Sequence, residues 1–265
     1  METVIHSPQA VEILRDSEWA SHGIDHGFFG RAGGVSQGTY ASLNLSAWVG
    51  DDPAAVRTNW SRAEAIIGPH QKIALLNQVH GAVIHRIRAE YCGGRLLGDG
   101  MVASQPGVML GVMTADCVPI LMADAENMIL GALHAGWRGT LAGIATAGVH
   151  AMRKAGAMLP QIQVALGPAI GQCCYEVDDE LGARFESEYQ FAGRHITAGA
   201  RPGKAMLDLR GIIADQFVAV GLAREAVWYA GPCTRCANDR FFSRRGAGGV
   251  RCGLQLSFIG TRVAR

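Results

Sequence analysis

The sequence predicts an α/β fold, a single-domain layered sandwich with a mixed sheet. Three observations lead there. Apolar runs of strand length recur along the chain, and helix-length segments are interspersed among them. Several of the runs are also too apolar for a strand with one wet face, so the sheet should be covered on both sides. At 265 residues and 49% hydrophobic content, the chain is long enough to bury one sizeable core. It shows no repeat or low-complexity stretch, so the domain is expected to span residues 1–265.

The expected strands are "KIALLNQV" (72–79), "VIHRIR" (83–88), "GVMLGVMT" (107–114), "VPILMA" (118–123), "MILGALH" (128–134), "QIQVAL" (161–166), "EAVWYA" (225–230) and "GLQLSFI" (253–259). Four segments read as helices. "AAVRTNWSRAEAII" follows Asp52-Pro53, with proline in the first turn where its missing N–H costs nothing. "GTLAGIATAGVHAMRKAG" (139–156) puts Leu141, Ile144 and Ala145 on one face and ends on Arg153, Lys154 and Gly156, as a helix C-terminus favours. "DDELGARFESEYQF" (178–191) and "DLRGIIADQFVAVG" (208–221) complete the set. Glycine-rich loops are expected over 30–52 and 90–101, and the 35 glycines in total suit a chain of tight turns and close backbone approaches.

Charge and composition narrow the functional classes. The net charge is +1 without a run of like charges, so neither a nucleic-acid stripe nor a polybasic membrane patch is expected. The N-terminus lacks the basic start and apolar block of a secretory signal, and no uncharged segment is long enough to span a bilayer. Seven cysteines in such a chain read as reduced thiols of a cytoplasmic protein.

The chemistry concentrates in "TADCVPILMADAENMILGALHAGWRGT". Cys117 opens one apolar run and His134 closes another, while His80 ends the run "LLNQVH" just before Gly81. All three are expected at strand ends, which can converge on one rim of a sheet. Two imidazoles and a thiolate suit Zn²⁺ and leave a fourth coordination position open for water or substrate. The plainer reading is a small buried thiol and two ordinary histidines. The spacings match no compact finger pattern, so spacing leaves both readings standing. "CTRC" (233–236) has metal-ligand or redox spacing but no second C-x-x-C pair, and the adjacent Cys173 and Cys174 look too cramped for joint chelation. These cysteines are expected to be reduced structural thiols. "HAGWRGT" runs from a strand end into a helix, where backbone N–H groups and Arg138 could hold an anion. "LGPAIGQCCYEV" (166–177) repeats that turn, and for both the alternative is a tight connection only. The loop "FFGRAGGVSQGTYASLNL" (28–45) brings Arg31 and Asn44 as candidate substrate contacts, or is simply solvated.

Taken together, "GGVSQGTYASLNL", "NQVHG", "TADCVPIL", "HAGWRGT", "GPAIGQCCYEV" and "CT…FFSRR" resemble the YfiH family in order and spacing. Its members have been called laccase-like multicopper polyphenol oxidoreductases, purine nucleoside phosphorylases and the peptidoglycan editing factor PgeF. The resemblance runs from about His26 to the C-terminus. It implies a fold related to a cysteine-dependent toxin deamidase, with Zn²⁺ (Cu²⁺ as the alternative) held by His80, Cys117 and His134. It also implies phosphorolysis of adenosine, inosine and methylthioadenosine, and deamination of adenosine. Gly30, Ser104 and a shortened "FFSRRGAGG" depart from the family pattern and bear on substrate preference.

For deamination the expected chemistry is metal-assisted hydrolysis at the amino-bearing purine carbon. Asp116 then stands either as the proton carrier or as a group orienting a ligand imidazole. For phosphorolysis, Arg138 is the expected phosphate contact. The expected partners are therefore a purine nucleoside and phosphate, with no nucleic acid or membrane, for a monomer or homodimer. Three rivals stand beside this. One is a laccase-like copper oxidase with Met113 or Met122 as an extra ligand, against which the seven remaining histidines show no paired H-x-H pattern. Another is a hydrolase using Cys117 as nucleophile on peptidoglycan precursors. The last is a non-catalytic module that only holds a nucleoside or sugar nucleotide.

Overall fold

A computed structural model describes residues 2–5, 11–68, 73–90 and 96–261, with side chains described from residue 11. Lys72, at the start of one expected strand, and residues 91–95 of one expected loop lie outside the described residues. The chain opens with β1 (Glu2–Ile5), β2 (Glu12–Arg15), α1 (Ser17–Ser21) and β3 (Ile24–Phe29). Helix α2 (Pro53–Ile67) precedes β4 (Ile73–Ala74), β5 (Ile84–Arg86), β6 (Gly100–Ala103), β7 (Met109–Thr114), β8 (Val118–Asp124) and β9 (Ile129–Ala135). Helices α3 (Trp137–Leu141) and α4 (Ile144–Ala155) lead to β10 (Ile162–Leu166), β11 (Glu176–Asp178) and α5 (Asp179–Glu188). Strands β12 (Ile196–Ala198) and β13 (Lys204–Leu207), helix α6 (Leu209–Ala219), β14 (Val227–Tyr229) and β15 (Gln255–Thr261) finish the fold.

Two six-stranded sheets form the middle of a mixed α/β sandwich, ordered β1-β2-β3-β15-β7-β4 and β14-β10-β8-β9-β6-β5. Most pairs are antiparallel, with β4–β7, β5–β6 and β10–β14 parallel. A small antiparallel sheet, β11-β13-β12, lies apart from them in the topology. The mixed arrangement matches the sequence expectation.

Side-chain alternation explains why the central strands read as continuous apolar runs. Along β8, Leu121 and Ala123 belong to the core between the two sheets, where Phe28, Val112 and Ile259 come from the opposite sheet. The intervening Val118, Ile120 and Met122 belong to a second core, closed by Val149 and Met152 of α4 and Phe217 of α6. On the far side of the first sheet, Phe29, Met109 and Leu256 are covered by Ala63 and Ile67 of α2. Each sheet is therefore buried on both faces, and a strand with period-2 geometry has no polar phase to show.

Helix ends follow the local chemistry. Asp52 caps α2 by accepting the Ala54 N–H at 2.9 Å, with Pro53 beginning the helix. The helix expected over 139–156 departs from expectation. It begins earlier, at Trp137, and is broken at Gly143, whose φ of +77° is left-handed. The run expected as a strand over 72–79 pairs as a strand only at β4, and residues 75–79 are irregular apart from an isolated bridge, Asn77 to Leu97. Among the described residues no helix is long and apolar enough to cross a membrane.

Leu121 has no exposed surface, whereas the Met158 side chain is more than half exposed. Leu121→Ala is expected to cost about 2–5 kcal/mol, and Met158→Ala at most about 0.5 kcal/mol. Urea denaturation of the two variants checks the difference.

Candidate metal centre and substrate cleft

The β8–β9 register places Pro119 opposite His134. Cys117, just before β8, and His134, near the end of β9, therefore emerge at the same edge. His80 arrives differently from the strand end expected for it. It sits in a turn with φ +60°, a conformation disfavoured for a side chain of its size. One buried carboxylate holds this turn. Asp99 accepts the backbone N–H groups of Val79 at 3.2 Å, His80 at 2.9 Å and Gly81 at 2.7 Å. The same carboxylate lies 2.8 Å from His134 Nδ1, and the Asp99 carbonyl accepts the His134 backbone N–H at 2.7 Å. Nδ1–H facing a carboxylate leaves Nε2 of His134 as the ligand atom, the arrangement by which outer carboxylates orient metal-binding imidazoles.

His80, Cys117 and His134 each offer one ligand atom, and these lie within 4.8 Å of one another. The two imidazoles meet edge to face, with centroids 4.7 Å apart. Gly136 leaves the space over the trio free. A Cβ there would lie 2.8 Å from His80 Cδ2 and 3.2 Å from Cys117 Sγ. Gly139 similarly admits the Gly81 carbonyl, which a Cβ would meet at 2.7 Å. The donor set and its outer carboxylate fit a divalent ion of the zinc or copper type.

Without a metal, the electrostatics set a thiolate beside an imidazolium, whose Nε2 proton a bound ion would displace. Desolvation alone would push the Cys117 thiol up, but the charge and hydrogen bond of His134, aided by His80, outweigh it and bring it down to about 6. Burial would lower His134, yet the Cys117 thiolate and Asp99 raise it to about 9. Burial likewise works against the Asp99 carboxylate, and its hydrogen bonds from His134, Gly81 and His80 overcome that and hold it below the ordinary carboxylate range.

The other expected residues fall into distinct places. Asp116, at φ +88°, precedes Cys117 and accepts from Thr234 Oγ1 and the Arg245 N–H, both at 2.6 Å. The imidazole-orienting role open to it belongs instead to Asp99. Arg138 is exposed with its guanidinium 4.3 Å from the Trp137 ring centroid. Arg31 and Asn44, expected as substrate contacts, tie their loop to itself and to the 238–254 segment. Arg31 donates to the Ala41 and Asn238 carbonyls and lies over Phe242. Asn44 is fully buried and bonds Ser46, Asp51 and Leu254. Neither methionine considered as a copper ligand joins the trio. Met122 packs into the α4 layer and Met113 toward α2.

A cleft of about 540 Å³ adjoins this edge, walled by Trp137, Tyr175, Arg184 and Arg245, with Glu180 and the ion pairs Arg201–Glu176 and Lys204–Asp178 also on its lining. Burial and the Cys117 charge push the Tyr175 phenol up to about 12, so it stays a neutral donor. Arg245 lies over the Tyr175 ring at 5.4 Å. Sequence reasoning missed Asp99, Tyr175 and Arg245. Of these, only Asp99 carries a local cue, a lone acid between two glycines.

The family described as "Multi-copper polyphenol oxidoreductase laccase" matches residues 25–262. The chain belongs to this family. Among family relatives, a Deinococcus radiodurans protein named purine nucleoside phosphorylase is 39% identical over 226 residues, 85% of each chain. Adenosine deaminase RL5, from an unknown prokaryotic organism, is 35% identical over 218 residues, 79% of this chain and 83% of its own. The crystal structure of the Bacillus licheniformis hypothetical protein YfiH superposes with a TM-score of 0.88 at 28% identity, covering 97% of this chain and 98% of the other. The family and fold expected from the motifs are thereby shown.

Two outcomes follow from this geometry. In metal-free protein, alkylation of Cys117 by iodoacetamide should rise through about pH 6, because a lowered pKa leaves thiolate above that pH. Peptide mapping across pH checks this, and a rise delayed to the ordinary thiol range would contradict it. Asp99→Asn should weaken metal retention by about 10–100-fold, measured by competition with a chromogenic chelator.

Proposed function

We propose that the chain is a metal-dependent purine nucleoside enzyme that catalyses phosphorolysis of adenosine, inosine and methylthioadenosine, and deamination of adenosine. The observation that carries this reading is the convergence of His80, Cys117 and His134, backed by Asp99, beside a cleft whose walls include Trp137, Tyr175 and Arg245. The names of the relatives support both reactions. Zinc fits the donor set, and a divalent ion bound there supplies Lewis acidity and makes water more acidic.

The chain's own groups account for the remaining needs. Trp137 and Tyr175 offer aromatic surface against which a purine packs. Arg138 and Arg245 supply positive charge for phosphate or a ribose hydroxyl. In phosphorolysis a phosphate oxygen bonds to the ribose anomeric carbon as the carbon–nitrogen bond to the base breaks, and the departing base takes up a proton. We assign that proton to the neutral Tyr175 phenol, which gives it to the departing base and recovers one from the attacking dihydrogen phosphate. In deamination, water adds to the amino-bearing carbon and ammonia leaves. Asp116 is assigned the proton transfer, since each of its oxygens keeps a lone pair beyond its present hydrogen bond.

A copper-dependent polyphenol oxidase is the second reading, favoured by the family's description. Among the described residues the metal-capable groups are the His-Cys-His trio and a four-cysteine cluster, and neither is the histidine-rich centre that multicopper oxidation requires. The cysteine-hydrolase reading has the lowered Cys117 pKa in its favour. Chelator treatment separates them. A metal-stripped protein should lose adenosine-to-inosine turnover and regain it with zinc, without an intense blue absorbance after copper loading. Full activity after stripping, abolished by alkylation, would install Cys117 as the nucleophile. Arg138→Ala should raise the phosphate KM by about tenfold while sparing deamination, and an unchanged phosphate dependence would remove that assignment.

A further inference from the structure

Outside the trio, the structure gathers Cys173, Cys174, Cys233 and Cys236, with all four sulfurs within 4.8 Å of one another. From the sequence, the adjacent pair looks too cramped to chelate jointly. The turn at 172–174 overturns that expectation. It aims both sulfurs at Cys236, 3.6 Å from Cys173 Sγ and 3.4 Å from Cys174 Sγ. We propose that these four cysteines form a second metal site, a structural tetrathiolate for zinc.

The spacing suits that ion. Four sulfurs about 2.3 Å from a tetrahedral zinc stand about 3.8 Å apart, close to the separations already present. The backbone prepares the ligands as well. Gly171 N–H donates to Cys233 Sγ at 3.2 Å, and the N–H groups of Arg235 and Cys236 face the same sulfur. Such donors favour thiolate over thiol. Gly171 has to lack a side chain here, because a Cβ would lie 3.2 Å from Cys233 Cβ and 3.4 Å from Cys173 Sγ. Four thiols that bind Zn²⁺ release four protons to solvent and leave a cluster of net charge −2. Arg210 stands at hand to offset it. Its Nη2 would lie 3.6 Å from the same Cβ, and its buried Nε has no hydrogen-bond partner among the described residues.

The cluster joins two loops that reach the first site. Ala169 and Cys233 form a parallel bridge, and Thr234 N–H donates to the Ala169 carbonyl at 3.0 Å. Thr234, between two of the proposed ligands, holds Asp116 through its hydroxyl, and the Ile170 N–H bonds the Asp116 carbonyl at 3.0 Å. The four cysteines are thus positioning residues. They staple the loops that fix the turn carrying Cys117.

The test removes one site at a time. His80→Ala/Cys117→Ser protein, isolated under argon, should still bind about one cobalt per chain with intense thiolate-to-cobalt charge-transfer absorbance. Adding Cys173→Ser and Cys236→Ser should abolish that absorbance. Should the quadruple variant misfold, zinc-edge anomalous scattering from crystals of the unmodified protein decides, with a peak expected among the four sulfurs. No stoichiometric cobalt in the double variant, a disulfide among the four cysteines under argon, or no anomalous peak would each overturn the proposal. Loss of nucleoside activity in the double variant with cobalt retained would support a second site that binds metal without the first.

Discussion

The Asp99 carboxylate receives three consecutive backbone N–H groups on one side and the His134 imidazole on the other. That arrangement joins a turn at residues 79–81 to a strand of the central sheet. Without it, His80 would lose the support for its left-handed backbone, and His134 would lose the partner that fixes its tautomer. A buried carboxylate is costly to desolvate, and here the cost is offset because every partner is a hydrogen-bond donor. The second imidazole and the first thus share a single support, so a change at Asp99 reaches both.

The fold supplies the rest of the precision. Cys117 and His134 flank adjoining strands whose side chains are buried on both faces, so a slip in register would push whole rows of apolar groups into the wrong layer. The two ligands inherit the rigidity of that packing. The cleft walls come from less regular parts: Trp137 opens a five-residue helix, and Tyr175 and Arg245 lie on connecting segments.

The central strands were legible because β8 and β9 carry unbroken apolar runs, and Cys117 and His134 stand out at their ends. His80 was legible by residue type and by motif, although its setting was not, since "LLNQVH" has strand composition but spends its hydrogen bonds on Asp99. Asp99 itself was hidden because its partners are mostly main-chain groups about twenty positions upstream, which leave no pattern in side-chain identity. Arg31 and Asn44 were legible as polar residues of a long loop, but not their partners, since Asn238, Phe242 and Leu254 lie some two hundred positions downstream. The break at Gly143 was masked by good apolar spacing on either side of it. The four cysteines were out of reach for a different reason, because the two pairs are some sixty residues apart and are joined by contacts between loops such as the Ala169–Cys233 bridge.

Gly136 separates what selection can alter from what it cannot. Any side chain at that position would press on both His80 and Cys117, so the ligand edge tolerates no remodelling from the strand-to-helix turn. The neighbouring Trp137 and the distant Arg184 face the cleft away from the Asp99 and Asp116 carboxylates that support the ligand edge. Specificity can therefore drift, or be engineered, along the wall while the ligand edge stays constant, which leaves one set of side chains compatible with several related small molecules.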